Sequence, residues 1–429
     1  MPRPLWRNRD FKLLFGAQII SLLGSGVTTV GLALFAYQLT GGVSAAAVIG
    51  NALMLRILAF LLFSQPAGMI ADRVSRKKIL IAADLVRFGL LALFPFVTAV
   101  WQIYALIFAV NAVTAFFTPT FEASIPEVVG NKQYVQALSF SRVAVDVEAA
   151  AAPAIAGLLV ALLGMRWVFW FDAFTYLVSA LLVTPALIPR AAKEVAPPSW
   201  RMFLNEITHG ARILVREPAL RQAITFSLAA GTAGAAAIVV TGTYVRDALG
   251  HGETAFAIVM TGLGLGSTTA AIMLGRATGR YERDANDQAV LHDRRRRWAA
   301  RALLFGSLML GLLLLPGVLA PSLFVFGLLW FLNGAGQALI AISSSTLLAE
   351  HTVAEECGRA YAAHFALTHA CWLITYPAVG HAATKWGATV TFTAAGIVCL
   401  LVTAAAKVFG KGMRMPGAHT RTRDGAAIV

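Results

Sequence analysis

Twelve apolar runs of bilayer length govern what this chain can fold into. They cover 13–39, 45–71, 79–100, 102–123, 139–164, 167–189, 221–246, 254–277, 299–319, 321–348, 359–383 and 388–409. An α-helix needs about 20 predominantly apolar residues to cross the hydrocarbon core of a membrane. Every run meets that length, and none shows the strict alternation of a membrane strand. Composition agrees, since only 13% of the 429 residues are charged, against about 25% in a soluble chain. These runs predict an all-α integral membrane protein with twelve transmembrane helices. The first run follows Arg3, Arg7, Arg9 and Lys12. It is too long for the apolar part of a secretory leader, which predicts an uncleaved first span.

The net charge of +14 comes from bases clustered between the runs. With the N-terminus in the cytoplasm, both termini and the even-numbered loops carry nearly all the loop Lys and Arg. The outside loops keep Arg166, Arg246 and Lys385. This asymmetry sets orientation in the bilayer and places both termini in the cytoplasm. The run Arg294–Arg297 is expected beside anionic headgroups rather than on nucleic acid. Cys357, Cys371 and Cys399 have no metal or disulfide spacing. His364 and His369 do not share a helix face. Gly262, Gly264 and Gly266 lie inside an apolar run without a preceding strand, so helix packing explains them better than a dinucleotide. Neither an enzyme, a cofactor nor a metal is expected, and a single chain of this size needs no partner to form a pathway, so a monomer is.

The second six runs repeat the first. Pro95 and Pro316 are offset by 221, Asn111 and Asn333 by 222, and Glu127 and Glu350 by 223. Gly157 and Gly380, then Gly164 and Gly387, are also offset by 223, and Pro153 and Pro377 by 224. The chain therefore divides into halves at 1–189 and 221–409, with a linker at 190–220 and a tail at 410–429. In the linker, Trp200, Phe203, Leu204, Ile207, Ala211 and Leu214 fall at helical spacing, which predicts an amphipathic helix on the membrane face.

Ionisable groups inside a membrane are expensive and mark function. Arg56 lies near the middle of run two and needs a partner or a wet cavity, with Asp146, Glu148 and Asp172 as the available acids. Arg142 and Asp146, four apart, share a face of run five; Glu148 points elsewhere. A proton carrier must be an acid facing a cavity. Asp146 and Glu148 are the first candidates and Asp172 the third. Polar stripes mark the expected cavity: Gln18, Ser21, Ser25 and Thr28; Asn111, Thr114 and Thr118; Trp330, Asn333, Gln337 and Ser344; Tyr361, Thr368, Trp372 and Thr375. Aromatic neighbours favour a bulky amphipathic small molecule.

The segment GMIADRVSRKK, Gly68 to Lys78, joins runs two and three. Its Gly68, Asp72, Arg73, Arg76 and Lys77, with Ser75 in place of a glycine, resemble the loop after the second helix of major facilitator superfamily transporters. The second-half counterpart keeps Gly275, Arg276, Gly279 and Arg280 but has no Asp, and a polar insertion follows it to Arg297. Asn8–Val27, the ADLVR holding Asp84 and Arg87, and FDAFTYLVSALLV from Asp172 are similar to the branch of enterobactin exporters and macrolide-efflux proteins. Ala-Pro-x-x-Ala-Gly at 152–157 resembles the Gly-Pro-x-x-Gly-Gly of proton-coupled exporters, with Ala152 and Ala156 replacing two glycines. The resemblance covers the first half; the second matches in layout.

It implies two six-helix halves with a substrate site between them near the bilayer midplane, in a bacterial inner membrane. It implies export of amphipathic small molecules driven by inward proton flow. An importer or a lysophospholipid flippase shares the same fold. Asp84 and Arg87 then join Asp72 and Arg73 in a cytoplasmic latch.

Overall fold

The computed structural model describes residues 5–42, 44–71, 74–188, 208–209, 211–283, 288–319, 322–352 and 354–411. Among them are twelve long α-helices and no strand. The first six are α1 (Arg9–Thr40), α2 (Ala45–Ala71), α3 (Arg76–Ala92), α4 (Val100–Val129), α5 (Asn131–Leu163) and α6 (Met165–Val183). The second six are α7 (Pro218–Val239), α8 (Glu253–Arg283), α9 (Gln288–Leu314), α10 (Leu323–His351), α11 (Ala354–Trp386) and α12 (Ala388–Lys411). Local signals set several ends. The Asn8 side chain accepts from the N–H groups of Asp10 and Phe11 to cap α1, which satisfies two donors left free in a first turn. Gly164 and Gly387, at φ 90° and 81°, each break one helix from the next with a single residue. Only glycine takes that conformation cheaply.

Among the described residues, ten helices are long and apolar enough to cross a membrane by length and composition. α5 and α11 are each 33 residues long and carry charged and polar side chains along their length. A helix that faces a polar interior need not be apolar all round. The polar insertion ahead of Arg297 is largely helical where described, because α8 runs to Arg283 and α9 starts at Gln288. Beyond the hydrocarbon, polar side chains no longer weaken a helix. Most of the amphipathic stripe, from Trp200 to Ile207, lies outside the described residues. Its end, 211–216, is helical, with Leu214 fully buried.

The halves have the same internal plan. In the first, α1 packs on α5 and α6, α3 on α4 and α6, and α2 on α4. In the second, α7 packs on α11 and α12, α9 on α10 and α12, and α8 on α10. The halves meet through two equivalent pairs, α2 with α11 and α5 with α8. Small residues make both contacts possible. A Cβ on Gly380 would lie 2.5 Å from the Ala46 carbonyl oxygen, and one on Gly157 2.4 Å from the Ala257 Cβ. Lipid tails are as apolar as the side chains, so such contacts hold by close van der Waals fit rather than by hydrophobic burial.

Candidate substrate cavity and its charged lining

Between the halves lie two adjoining spaces of about 350 and 490 Å³ that share Leu22, Ser25, Thr29, Arg56, Ile238 and Trp372 as walls. The polar stripe of α1 faces them: Gln18, Ser21 and Ser25 line the larger space, and the stripe continues to Thr29. The sequence had pointed to Thr28 as its next member. Thr28 is instead buried beside α6, because four residues from Ser25, not three, keep to the cavity face. Ser25 and Thr29 each donate 2.8 Å bonds to the carbonyl one turn back. From α4, Asn111, Thr114 and Thr118 border the larger space. From the second half come Gln337 and Trp372. Asn333, also expected there, is fully buried within its own half; the cavity face of α10 passes through Gly334 and Gln337. Trp330 is likewise turned away, packed among Phe326, Phe392 and Tyr244.

Arg56 is exposed to the cavity. Its Nη1 donates to Thr29 Oγ1 at 3.1 Å, and its charge acts on Glu148. Glu148 borders the smaller space and is seated against α1 at Gly26, where a Cβ would lie 1.9 Å from its Oε1. Asp172 uses the neighbouring glycine, Gly24, where a Cβ would lie 2.3 Å from its Oδ1. Its environment differs. Asp172 is 1% exposed and held by Thr175, whose hydroxyl reaches its carbonyl at 2.7 Å and its carboxylate at 3.3 Å. Glycines two apart on α1 thus admit two carboxylates from opposite flanks, one at the cavity and one sealed inside the first half. Arg142 and Asp146 belong to α5, but their side chains lie outside the described residues.

Behind the α1 stripe sits a buried charge group. Arg87 pairs with Asp84, whose other oxygen accepts from Ser179 Oγ at 2.7 Å. The Arg87 guanidinium lies between the rings of Phe117 and Tyr176, 4.2 Å from each centroid, a geometry that favours the cation. Tyr176 shares a 2.8 Å hydrogen bond with Ser25. A continuous path therefore joins the cavity wall to Asp84. Of the loop residues singled out above, Asp72 and Arg73 lie outside the described residues, and Gly68 ends in the last turn of α2. Arg76 binds Glu127 at 2.6 Å and the Ala123 carbonyl at 2.6 Å, tying α3 to α4. Lys77 is half-buried beside it.

The far end of the bundle is closed by contacts between halves. Tyr37 on α1 donates to Asp247 at 2.7 Å, and Gln38 Nε2 donates to Glu253 at 3.2 Å. Arg246 pairs with Glu253 at 2.6 Å and stacks over the Tyr37 ring at 4.3 Å. A π-helical turn, Tyr244–Ala248, presents Arg246 and Asp247 to α1; such turns recur at functional sites. No spacing rule in the sequence links residues about 210 positions apart.

The model of the Major Facilitator Superfamily matches residues 14–288. Macrolide efflux protein A of Streptococcus pyogenes is 25% identical over 214 residues, 49% of this chain and 52% of that protein. The match thus spans about half the length of that relative. The uncharacterised MFS-type transporter YfiS of Bacillus subtilis is 26% identical over 423 residues, 94% of this chain and 93% of that protein. Among solved structures, a bacterial homologue of the human lysosomal transporter Spinster, inward-facing and unoccupied, superposes with a TM-score of 0.71 at 13% identity. It covers 95% of this chain and 98% of that one. A twelve-helix bundle with a repeated packing plan, a cavity between its halves and a matching family model together place the chain in the Major Facilitator Superfamily.

Proposed function

We propose that the protein is a proton-coupled exporter of amphipathic small molecules, of drug, macrolide or siderophore-like kind, working by alternating access in a bacterial inner membrane. The observation that carries this reading is the Glu148 carboxylate on the wall of a cavity between halves, beside Arg56 and the aromatic Trp372. An acid in that place can take up a proton from one side and release it to the other, provided the halves rock about it. Asp146 and Asp172 remain the further proton candidates. In the proposed topology all twelve helices cross the bilayer and both termini are cytoplasmic. The halves are 1–189 and 221–409, joined through 190–220 and followed by the tail 410–429. The closed Tyr37–Asp247 end then faces outward in this reading. The loop from Gly68 to Lys77, with Asp84 and Arg87 behind it, acts as the cytoplasmic latch. The partial likeness to macrolide efflux proteins supports export and an amphipathic substrate.

The test is efflux of a lipophilic dye from cells that express the protein, before and after collapse of the proton gradient. Efflux above an empty-vector control that stops with the gradient supports the reading. Efflux that persists without a gradient rejects proton coupling.

A further inference from the structure

Among the described residues, Arg56 is the cavity cation with the fewest partners. A guanidinium has five N–H donors in a planar fork, and among the described residues one of them is used, on Thr29 at 3.1 Å. Arg87, which also reaches the larger space, is engaged by Asp84 and two rings. Among the described residues no carboxylate lies within ion-pair distance of Arg56. Glu148, on the same wall, is seated against Gly26 on α1, while Arg56 reaches α1 at Thr29, about one turn further along. Both spaces share Arg56 as a wall. The rings of Phe60, Phe365, Trp372 and Tyr376 border the larger one around it. A charge held at membrane depth, with most of its donors unused among the described residues, has a standing demand for an anion. The planar fork matches the two oxygens of a carboxylate, phosphate or sulfonate.

We propose that Arg56 is the anchor for an acidic group on the transported molecule, which is therefore an amphipathic anion or zwitterion whose apolar body lies on the aromatic wall. The inference rests on the transport reading above and narrows its substrate class. An outward-moving anion is also favoured by an inside-negative membrane potential, which adds to any proton drive.

The experiment uses the full chain, purified in detergent, and energy transfer from tryptophan to a bound dansyl group. The probes are dansylaminoundecanoate and its matched ammonium, which share one body and differ in the sign of the end group. Arg56→Gln is expected to weaken the carboxylate probe by roughly 10-fold or more, the loss of one charge-assisted paired contact, and to leave the ammonium probe unchanged or tighter. Unaltered ammonium binding shows that the variant is folded. Arg56→Lys, which keeps charge but not the fork, is expected to fall between. Trp372→Phe is expected to lower the transfer signal, because the probe lies beside it. Competition with lysophosphatidate separates the two sources of an acid: displacement of the carboxylate probe assigns it to a lipid headgroup, and retention assigns it to a soluble amphiphile.

Equal effects of Arg56→Gln on both probes, or none on the carboxylate, overturn the proposal, as does an unchanged signal in Trp372→Phe. Gradient-driven efflux without Arg56-dependent binding removes the acidic substrate and keeps the exporter. Arg56-dependent binding without efflux does the reverse.

Discussion

Arg76 and Glu127 form a 2.6 Å ion pair that ties the first turn of α3 to the last turn of α4. The second half repeats the arrangement with different residues. Glu350, at the end of α10 and 223 positions after Glu127, takes Arg295 at 3.2 Å and also His292, both from the start of α9. Arg296 adds a bond to the Glu350 carbonyl. Part of the arginine run therefore has a structural task inside its own half.

From this repeat, Glu350→Ala is expected to destabilise more than Glu127→Ala. The Glu350 side chain is 5% exposed and that of Glu127 24%, so screening by solvent is weaker at Glu350. Roughly 1–3 kcal/mol for Glu350 and less for Glu127 is expected from partly buried pairs. Thermal unfolding of the purified variants, followed by loss of monodisperse protein, checks the order.

Asp84→Asn is expected to be costly. It leaves Arg87 charged at 2% exposure with only rings for company, and breaking such a pair costs about 3–5 kcal/mol. Ser179→Ala, which removes one neutral donor to Asp84, should cost about 1–3 kcal/mol. The double variant Asp84→Asn with Arg87→Gln should recover part of the loss. Expression level and melting temperature of the three proteins give the comparison.

Glu148→Gln is expected to stop proton-driven transport while leaving ligand binding in place. Gly26→Ala should resemble it, because the added methyl occupies the seat of the carboxylate. Gly24→Ala instead strikes Thr175 and Asp172 and should act first on stability. Gly16→Ala, whose Cβ meets its nearest neighbour at 3.7 Å, serves as the harmless control. Parallel measurement of probe binding and gradient-driven efflux separates these outcomes. A Glu148→Gln protein with parental gradient-driven efflux would remove Glu148 as the carrier.

Tyr37→Phe deletes the hydroxyl that reaches Asp247 and keeps the ring under Arg246. The closed end should open more often, by a few-fold for a loss of about 1 kcal/mol. Glu253→Gln, which weakens both the Arg246 pair and the Gln38 contact, should add to it. A cysteine placed at Gln337 in a background without Cys357, Cys371 and Cys399 should then react faster with a thiol reagent added from outside.

Much of this architecture is written in the chain. Membrane length located the twelve helices but not all their ends: α5 begins at Asn131 and α9 at Gln288, ahead of runs that open at 139 and 299, and α3 stops at Ala92, short of 100. The offset of 223 placed Gly157 and Gly380 at equivalent positions, where the structure finds them at the two contacts between halves. The α1 stripe was readable as far as Ser25. What a linear pattern does not encode is how each helix is rotated against its neighbours. Asp172 and Glu148 both read as acids in apolar runs, yet one is sealed behind α1 and the other meets the cavity. Asn333 and Gln337 lie on one stripe, but only Gln337 reaches the space. The Tyr37–Asp247 contact joins distant segments and follows from tertiary packing alone.

The single-residue breaks at Gly164 and Gly387 leave almost no slack between α5 and α6 or between α11 and α12. A connection of one residue transmits rotation instead of absorbing it. Each pair must then turn as one lever, and the motion that the proposed alternating access requires falls on the contacts of α2 with α11 and of α5 with α8. Those are the contacts built from glycine and alanine, whose low relief lets one surface slide and tilt on another without side chains having to disengage.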